Sequence, residues 1–348
     1  MASALPVVQL STNDPWPALP SACLYPALAG HDRNWLTAIS LGLKQKPIVL
    51  THRTAGGEQD GILPLALVES WLFGKFLVSL PYINTGGVWA TNETAAAALV
   101  SAACDLADEL DVRYLELRHE IPVDHERLTE SRSDKVHMRL GLPTTELELD
   151  KTFKSKLRSQ LKKTQEHGLQ LEWGGHEYLS RFYQVFAVNM RDLGTPVFSK
   201  QLFARVLTAF PDSAEICVVS KGRRAIAAGL LVHYPGKRTE VPSASSLRSY
   251  NWTGANMWMY RQMLARAIQR GSPLFDFGRS SEGSGTYKFK AQWGAIPQPA
   301  VWQYYVRKGQ AEDLRPGSQR NQRLIKIWQK LPVAVSRWLG PSIVRGIP

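Results

Sequence analysis

The chain has 348 residues and a mass of 38.9 kDa, more than one typical domain and suited to two. With 44% hydrophobic and 21% charged residues it is globular material, which excludes a disordered chain. A net charge of +12 favours anionic partners, whether nucleic acid, phosphorylated substrates or an acidic bilayer face, without choosing among them. Cys23, Cys104 and Cys217 are widely separated and form no CxxC pair or metal-ligand spacing, so a reducing compartment, no disulfide and no metal are expected. The N-terminus lacks the basic and apolar regions of a secretory signal, and no run of about 18 apolar residues occurs. A cytoplasmic protein is therefore expected.

Residues 1–30, with Pro6, Pro15, Pro17, Pro20 and Pro26, read as an irregular arm. Asp32 is placed to cap a helix carrying Trp35, Ile39 and Leu43 on one face. Pro47 to His52 and Ile62 to Val68 read as strands of a hairpin turning at Ala55-Gly56-Gly57. Phe76 to Leu80 is a third, meeting the breaker-rich Pro81 to Gly87. Thr91 and Asn92 precede an alanine-rich helix, Glu93 to Leu110. Tyr114 to Leu117, Lys135 to Leu140 and Thr145 to Leu149 read as strands. At Asp150 the composition changes: Lys151, Lys154, Lys156, Arg158, Lys162 and Lys163 crowd a helix that stops at Gly168. It is either a solvated face or a basic rail for phosphates. Helices follow over Glu177 to Met190 and Ser199 to Phe210, with Arg191 and Asp192 in the turn between them. Next come a hairpin about Gly222 (Glu215 to Val219, Ala225 to Val232) and a strand, Thr239 to Leu247, interrupted by Pro242. A helix over Asn256 to Arg270, a strand over Leu274 to Phe277, and Pro299 to Val306 as the strand closing the sheet complete the order. Both halves thus show helix, hairpin, third strand, long helix, strand, strand. Domains are expected over 31–150 and 151–310, followed by a tail over 311–348.

The densest chemistry lies between Asp276 and Ala295. Gly278, Gly283, Gly285 and Gly294 let a ligand approach backbone amides closely. Arg279 can hold a carboxylate or phosphate with two bonds, and Lys288 and Lys290 add point charges. Tyr287, Phe289 and Trp293 alternate with those lysines, so a strand here would put aromatics on one face and cations on the other. An anion-handling site at a sheet end and an ordinary glycine loop with solvated lysines both fit these residues.

Gly285-Thr286-Tyr287-Lys288-Phe289-Lys290-Ala291-Gln292-Trp293-Gly294 resembles the Phe-Lys-x-x-Phe-Gly signature of FemA/FemB/FemX-type aminoacyl transferases, with Trp293 in place of the second Phe. The basic helix is similar to the Lys-Lys-Ala-x-x-x-Gly run that opens the family's second domain, with Thr164 in place of Ala. Asn189 to Pro196, Glu240 to Arg248, Asp276 to Ser281 and Gly340 to Arg345 look like the branch found with exosortase/PEP-CTERM exopolysaccharide loci. The likeness covers nearly the whole chain. It implies a mixed α/β (α+β) fold of two tandem GNAT-like acyltransferase domains, with sheets splayed between the third strand and the strand after the long helix. It also implies transfer of an acyl or aminoacyl group to an amine. In the characterised relatives aminoacyl-tRNA is the donor and a lipid-linked or nucleotide-linked peptidoglycan precursor the acceptor. The long coiled-coil arm of the tRNA-binding relatives has no counterpart here.

Under that likeness Lys290, with the Phe289 and Lys290 amides, is expected to stabilise the developing oxyanion, and Asp276 or Glu240 to serve as base. Arg279 and Arg248 are expected to clamp the acceptor or else to pair with Asp276 and Glu240. Lys288, Tyr287, Ser280, Trp293, Arg191 and Asp192 join the substrate-binding set. Lys156, Arg158, Lys162 and Lys163 are assigned to a donor or nucleic acid. No bound cofactor is expected; the co-substrate is aminoacyl-tRNA or acyl-CoA. CoA ranks second because Ser249 to Asn256 lacks the Gln/Arg-x-x-Gly-x-Gly/Ala pattern. The acceptor partner is an envelope glycan or lipid-linked precursor. In the tail, Leu324, Ile327, Trp328 and Leu331 share one helical face, and Val335, Trp338 and Leu339 another, among basic residues. Such a tail suits either an anionic inner leaflet or packing on the domain. Two rival classes are a catalytically inactive protein recruiting polysaccharide machinery to the membrane and an RNA-binding module using the basic helix.

Overall fold

The structure is a computed structural model that describes residues 7–10, 14–16, 23–309 and 325–348. Its strands are β1 (Val7–Leu10), β2 (Lys46–Arg53), β3 (Gln59–Ser70), β4 (Gly74–Val78), β5 (Trp89–Ala90), β6 (Tyr114–His119), β7 (Glu130–Arg132), β8 (Lys135–Gly141), β9 (Leu169–Gly174), β10 (Ala214–Lys221), β11 (Arg224–Tyr234), β12 (Arg238–Ser246), β13 (Leu274–Ser281), β14 (Ile296–Pro299) and β15 (Val301–Val306). The helices are α1 (Arg33–Leu43), α2 (Glu93–Glu109), α3 (Glu146–Thr152), α4 (Ser155–Thr164), α5 (Leu179–Leu193), α6 (Lys200–Ala209), α7 (Ala255–Gln269), α8 (Gly285–Ala291) and α9 (Val333–Val344). Pro6, Pro17 and Pro20 of the expected arm and Leu324 of the tail lie outside the described residues.

The chain forms two units, each around one mixed sheet. The first sheet has the order β1-β2-β3-β4-β6-β15-β7, with β5 on β3. Asp32 caps α1 as expected, its carboxylate accepting the Asn34 N–H at 2.9 Å. The alanine face of α2 buries Leu99, Val100 and Ala103 with Leu63, Leu65 and Leu115 of the sheet. β4 and β6 run parallel through Val78↔Glu116 and then part. The residues after β4 fill the parting: Gly86 N–H donates to Arg118 O at 2.9 Å, and Arg118 Nη1 donates to Ile83 O at 2.6 Å. Arg118 is buried, bonded to Glu116 at 2.7 Å and lying over Trp302. Leu80 and Tyr82 take left-handed φ of 58° and 75° in that plug. Gly87, at φ 86°, admits no side chain, since a Cβ would meet His119 Cδ2 at 2.1 Å.

The second sheet has the order β14-β8-β13-β12-β11-β10-β9. α7 packs on one face, where Gly229 makes room for Met263. Glu215 lies on that face as well, holding His233 and both guanidinium arms of Arg266. α5 meets the other face, with Asn189 bonded to Ser245.

Three expectations are corrected. Thr145 to Leu149 is not a strand: Thr145 and Glu148 bond each other's backbone N–H as a capping box and start α3. The boundary at 150/151 does not separate the sheets. β8 precedes it yet pairs with β13, and β15, expected to close the second sheet, pairs with β6 and β7 of the first. Residues 285–291 form α8 rather than a strand. Ser284 Oγ accepts the Tyr287 N–H to cap it, and Phe289 and Trp293, four apart, share its inner face.

Candidate active site

β12 and β13 are paired in parallel at only two positions, Thr239↔Phe275 and Glu240↔Asp276. Beyond that rung they part, and each facing edge loses the other's hydrogen bonds. The last rung carries two acids side by side. Because Glu240 also stands opposite Val232, its side chain is on the α5 face, away from Glu215 and His233. Asp276 stands opposite Arg139 on β8 and binds it at 2.8 Å. Arg238, two residues before Glu240 on the same face, binds Glu240 and lies over the Tyr234 ring. The result is a charge row, Arg238–Glu240–Asp276–Arg139, at the point where the sheet opens. Burial raises the Glu240 carboxyl above the usual range; Arg238 opposes this and Asp276 adds to it.

The pairing once open to Arg279 and Arg248 falls instead to Arg139 and Arg238, which nothing in the sequence singled out. Arg238 was within reach, since i, i+2 residues share a strand face. Arg139 required the β8–β13 pairing. Arg279 is half-buried on the part of β13 that leaves β12; Arg248 is exposed in the turn after β12.

Lys290 is buried at 8% exposure. Its Nζ donates to Gly278 O at 3.0 Å and Arg279 O at 3.1 Å, both on β13 past the last rung. An ammonium has three donors, so one remains beyond these two bonds. Burial pulls its pKa down to about 8, with Asp276 opposing and Arg279 assisting. The site thus holds a lysine, but from a helix and anchored to the β13 backbone. Phe289 and Trp293 are packing groups: Phe289 sits 4.9 Å from Tyr260, and Trp293 is 5.5 Å from Phe153. Trp293 is 2% exposed, which removes it from a direct substrate role. Ser280 Oγ is buried on β13 without a hydrogen-bond partner, Tyr287 is half-buried and Lys288 is exposed.

Two other groups lie elsewhere. Arg191 binds Asp192 at 2.6 Å and donates to Leu331 O, while Gln329 donates to Asp192 O, so this pair clasps the tail. Up to Pro341 the tail belongs to the second unit, with Arg337 over Tyr183 and Gly340 against Val197, and Trp338 remains 78% exposed. Lys156, Arg158, Lys162 and Lys163 are exposed on α4, whose Leu157 and Thr164 turn inward. Arg158 and Lys162 line a cavity of about 330 Å³ with Trp258, beside the Arg261–Asp150 pair. Among the described residues no helix is long and apolar enough to cross a membrane, and no cluster of metal-ligating side chains occurs.

Comparison with known proteins fits this geometry. Residues 151–291 match the acetyltransferase (GNAT) domain family, a span that includes the parting strands and Lys290. No curated protein matches the chain. The solved structure of FemX superposes with a TM-score of 0.59 at 12% identity, over 87% of this chain and 99% of FemX. L-PGS from Bacillus licheniformis superposes with a TM-score of 0.52 at 12% identity, over 91% of this chain and 94% of L-PGS. At such identities the likeness speaks for the fold. The chain is a mixed α/β protein of two GNAT-like units, the second carrying an acetyltransferase-type domain.

Proposed function

We propose that this chain is a transferase that moves an acyl or aminoacyl group onto an amine of a cell-envelope precursor, with chemistry at the parting of β12 and β13. The observation that supports this reading is the Glu240↔Asp276 rung, where paired backbone gives way to an opening inside the acetyltransferase-type domain. The acceptor nitrogen attacks the carbonyl carbon of the donor ester or thioester. Its proton passes to Glu240, whose raised pKa makes its carboxylate a stronger base than an ordinary glutamate. The carbonyl oxygen, now negative, is met by the remaining Lys290 N–H and by backbone N–H groups on the parted edges. Collapse breaks the carbonyl–oxygen or carbonyl–sulfur bond, and the leaving atom takes the proton held by Glu240. Asp276 and its Arg139 hold the rung in place.

Acyl-CoA and aminoacyl-tRNA are both donors compatible with this scheme. FemX and L-PGS as fold neighbours, and the resemblance to the exosortase-associated branch, favour an envelope or exopolysaccharide acceptor. The test offers the purified chain acyl-CoA and charged tRNA separately, with amine acceptors, and follows loss of the acyl group. Turnover of either by wild type but not by Glu240→Gln is expected. If neither donor loses its acyl group with any envelope amine, the transferase reading is wrong.

A further inference from the structure

Among the described residues the large apolar side chain left most in water is Trp71, 94% exposed, and Leu72 beside it is 56% exposed. Both stand at the tip of the β3–β4 hairpin, between Ser70 and Gly74, which face each other across the ladder. The tip is pinned in place. Ser70 Oγ accepts the N–H groups of Leu72 at 3.3 Å and Phe73 at 3.2 Å, and Arg113 Nη1 donates to Phe73 O at 3.3 Å. Phe73 packs against Val68, Phe76 and Val78. Turns favour Gly, Pro, Asn, Asp and Ser. Here an indole and a leucine side chain are held out instead, and neither joins the core of the unit.

Cations gather at the same end of the first sheet. β2 starts there, since Lys46 pairs with Leu67 near the end of β3, and the preceding Lys44 is exposed. Lys75 follows the tip on β4, and Arg113 precedes β6, which runs parallel to β4. The C-terminal residues reach the same place. Gln45 donates to Arg345 O at 3.0 Å, and a Cβ on Gly346 would meet Ser70 Oγ at 2.5 Å. Arg345 is exposed, and Ile347 is exposed at 40%. Against these cations stand Glu69, shared by Lys46 and Lys75, and Glu109 at the end of α2. Asp108 and Asp111 are held by Arg307 and Lys308. The end keeps a positive excess around its two apolar side chains.

We propose that this end of the first unit docks on an anionic bilayer surface, with Trp71 and Leu72 entering the boundary between headgroups and acyl chains and Lys44, Lys75 and Arg345 against the lipid phosphates. Indoles prefer that boundary, and basic side chains beside an apolar insert are drawn to anionic lipid. A protein partner fits worse. Trp71 and Leu72 together offer on the order of 300 Å² at a hairpin tip, against about 800 Å² per partner in a standard interface. Two inserted side chains give a reversible attachment that depends on charge and is weakened by salt. The inference does not rest on the transferase reading. Nor does it use Trp338 of the tail, which belongs to the second unit.

Co-sedimentation of the intact chain with vesicles tests it, comparing phosphatidylcholine alone with phosphatidylcholine carrying about 30 mol% phosphatidylglycerol. At about 50 mM salt the anionic vesicles are expected to bind about tenfold or more tighter than the neutral ones, with the difference shrinking toward about 500 mM. Trp71→Ala/Leu72→Ser, on the exposed tip, should melt like wild type and bind anionic vesicles about tenfold or more weaker. Lys44→Glu/Arg345→Glu should lose about as much, whereas Trp338→Ala should bind like wild type. Brominated acyl chains should quench the tryptophan fluorescence of wild type more than that of Trp71→Ala. Failure of wild type to bind anionic vesicles, wild-type affinity in the tip variant, or a loss in Trp338→Ala alone overturns the proposal. Equal quenching in wild type and Trp71→Ala does so too. A dimer in sedimentation velocity that the tip variant dissolves, with no vesicle binding, would make the tip an interface between copies of the chain and likewise end the membrane reading.

Discussion

Replacing Lys290 by methionine separates the buried charge that the structure shows from the role that the proposed transfer gives it. The wild-type ammonium is 8% exposed and holds the Gly278 and Arg279 carbonyls. Its pKa falls from 10.5 to about 8. A shift of that size corresponds to about 3 kcal/mol at ~1.4 kcal/mol per pH unit. The folded-state pKa is the lower one, so between pH 8 and 10.5 the unfolded chain binds more protons. Wild-type stability should therefore gain about 3 kcal/mol across that window, a gain absent from Lys290→Met. Urea unfolding of both proteins from pH 7 to 10.5 reads this directly. The kinetic consequence has the opposite sign. The charge proposed to meet the oxyanion is present below pH 8, so under that proposal kcat should fall about tenfold per unit above it, on top of a rising limb from Glu240. In Lys290→Met the loss of one oxyanion donor should lower kcat by about 10²–10³ and abolish the alkaline limb. A folded Lys290→Met that turns over donor at the wild-type rate, or a wild-type rate level through pH 9.5, would refute the role given to Lys290.

Glu240→Gln should lower kcat by about 10²–10⁴ with KM little changed, measured by donor consumption at pH 7. An equal loss in KM and none in kcat would make Glu240 a binding group. Arg118→Met leaves Glu116 buried and unpaired and removes the donors to Leu80 and Ile83, so urea unfolding should show a loss of about 3–5 kcal/mol. A loss below about 1 kcal/mol would mean that the plug of the first sheet does not depend on it. Burial alone would raise the Glu215 carboxyl, but hydrogen bonds from His233 and Arg266 outweigh it and hold it at about 2. The depressed pKa adds about 3 kcal/mol above pH 4.5, lost as the pH falls through 2. The stability difference between wild type and Glu215→Gln should shrink over that range, and a difference constant from pH 6 to 2.5 would count against the assignment.

Local signals were legible wherever the chain carries its own punctuation. Asp32, Asn92 and Ser199 cap helices as their side chains predict, and the turns at Gly57 and Gly222 join the expected hairpins. Asp276 stood out as the acid after the apolar run Pro273-Leu274-Phe275, and Glu240 came from the family likeness; the structure sets the two side by side on one rung. What stayed hidden depends on partners distant in sequence. β8 and β15 have ordinary strand patterns, and nothing local says that each pairs in the other half's sheet. Arg139 acquires its role only through that pairing. The 285–294 stretch failed for another reason. Lysines alternating with aromatics satisfy a period of two, yet Phe289 and Trp293 also satisfy a helical spacing, and the Ser284 cap decides for the helix.

The repeated strand order raises the question of why the proposed chemistry falls to one unit. Each sheet has a parallel pair that ends in a last rung, Val78↔Glu116 in the first and Glu240↔Asp276 in the second. In the first sheet only one acid stands at the rung. Arg118, two residues on along the same strand, neutralises it and turns its remaining donors onto the carbonyls of the plugging residues. Every charge there is consumed in closing the gap. In the second sheet both positions are acids, and their arginines approach from the outer sides: Arg238 along β12 and Arg139 from β8. The buried Lys290 keeps one donor beyond its two bonds to the β13 backbone. A valine at one rung and a glutamate at the other thus distinguish a gap closed by its own side chains from one lined by two acids, and under the proposed function the second is the one that would hold the reacting carbonyl.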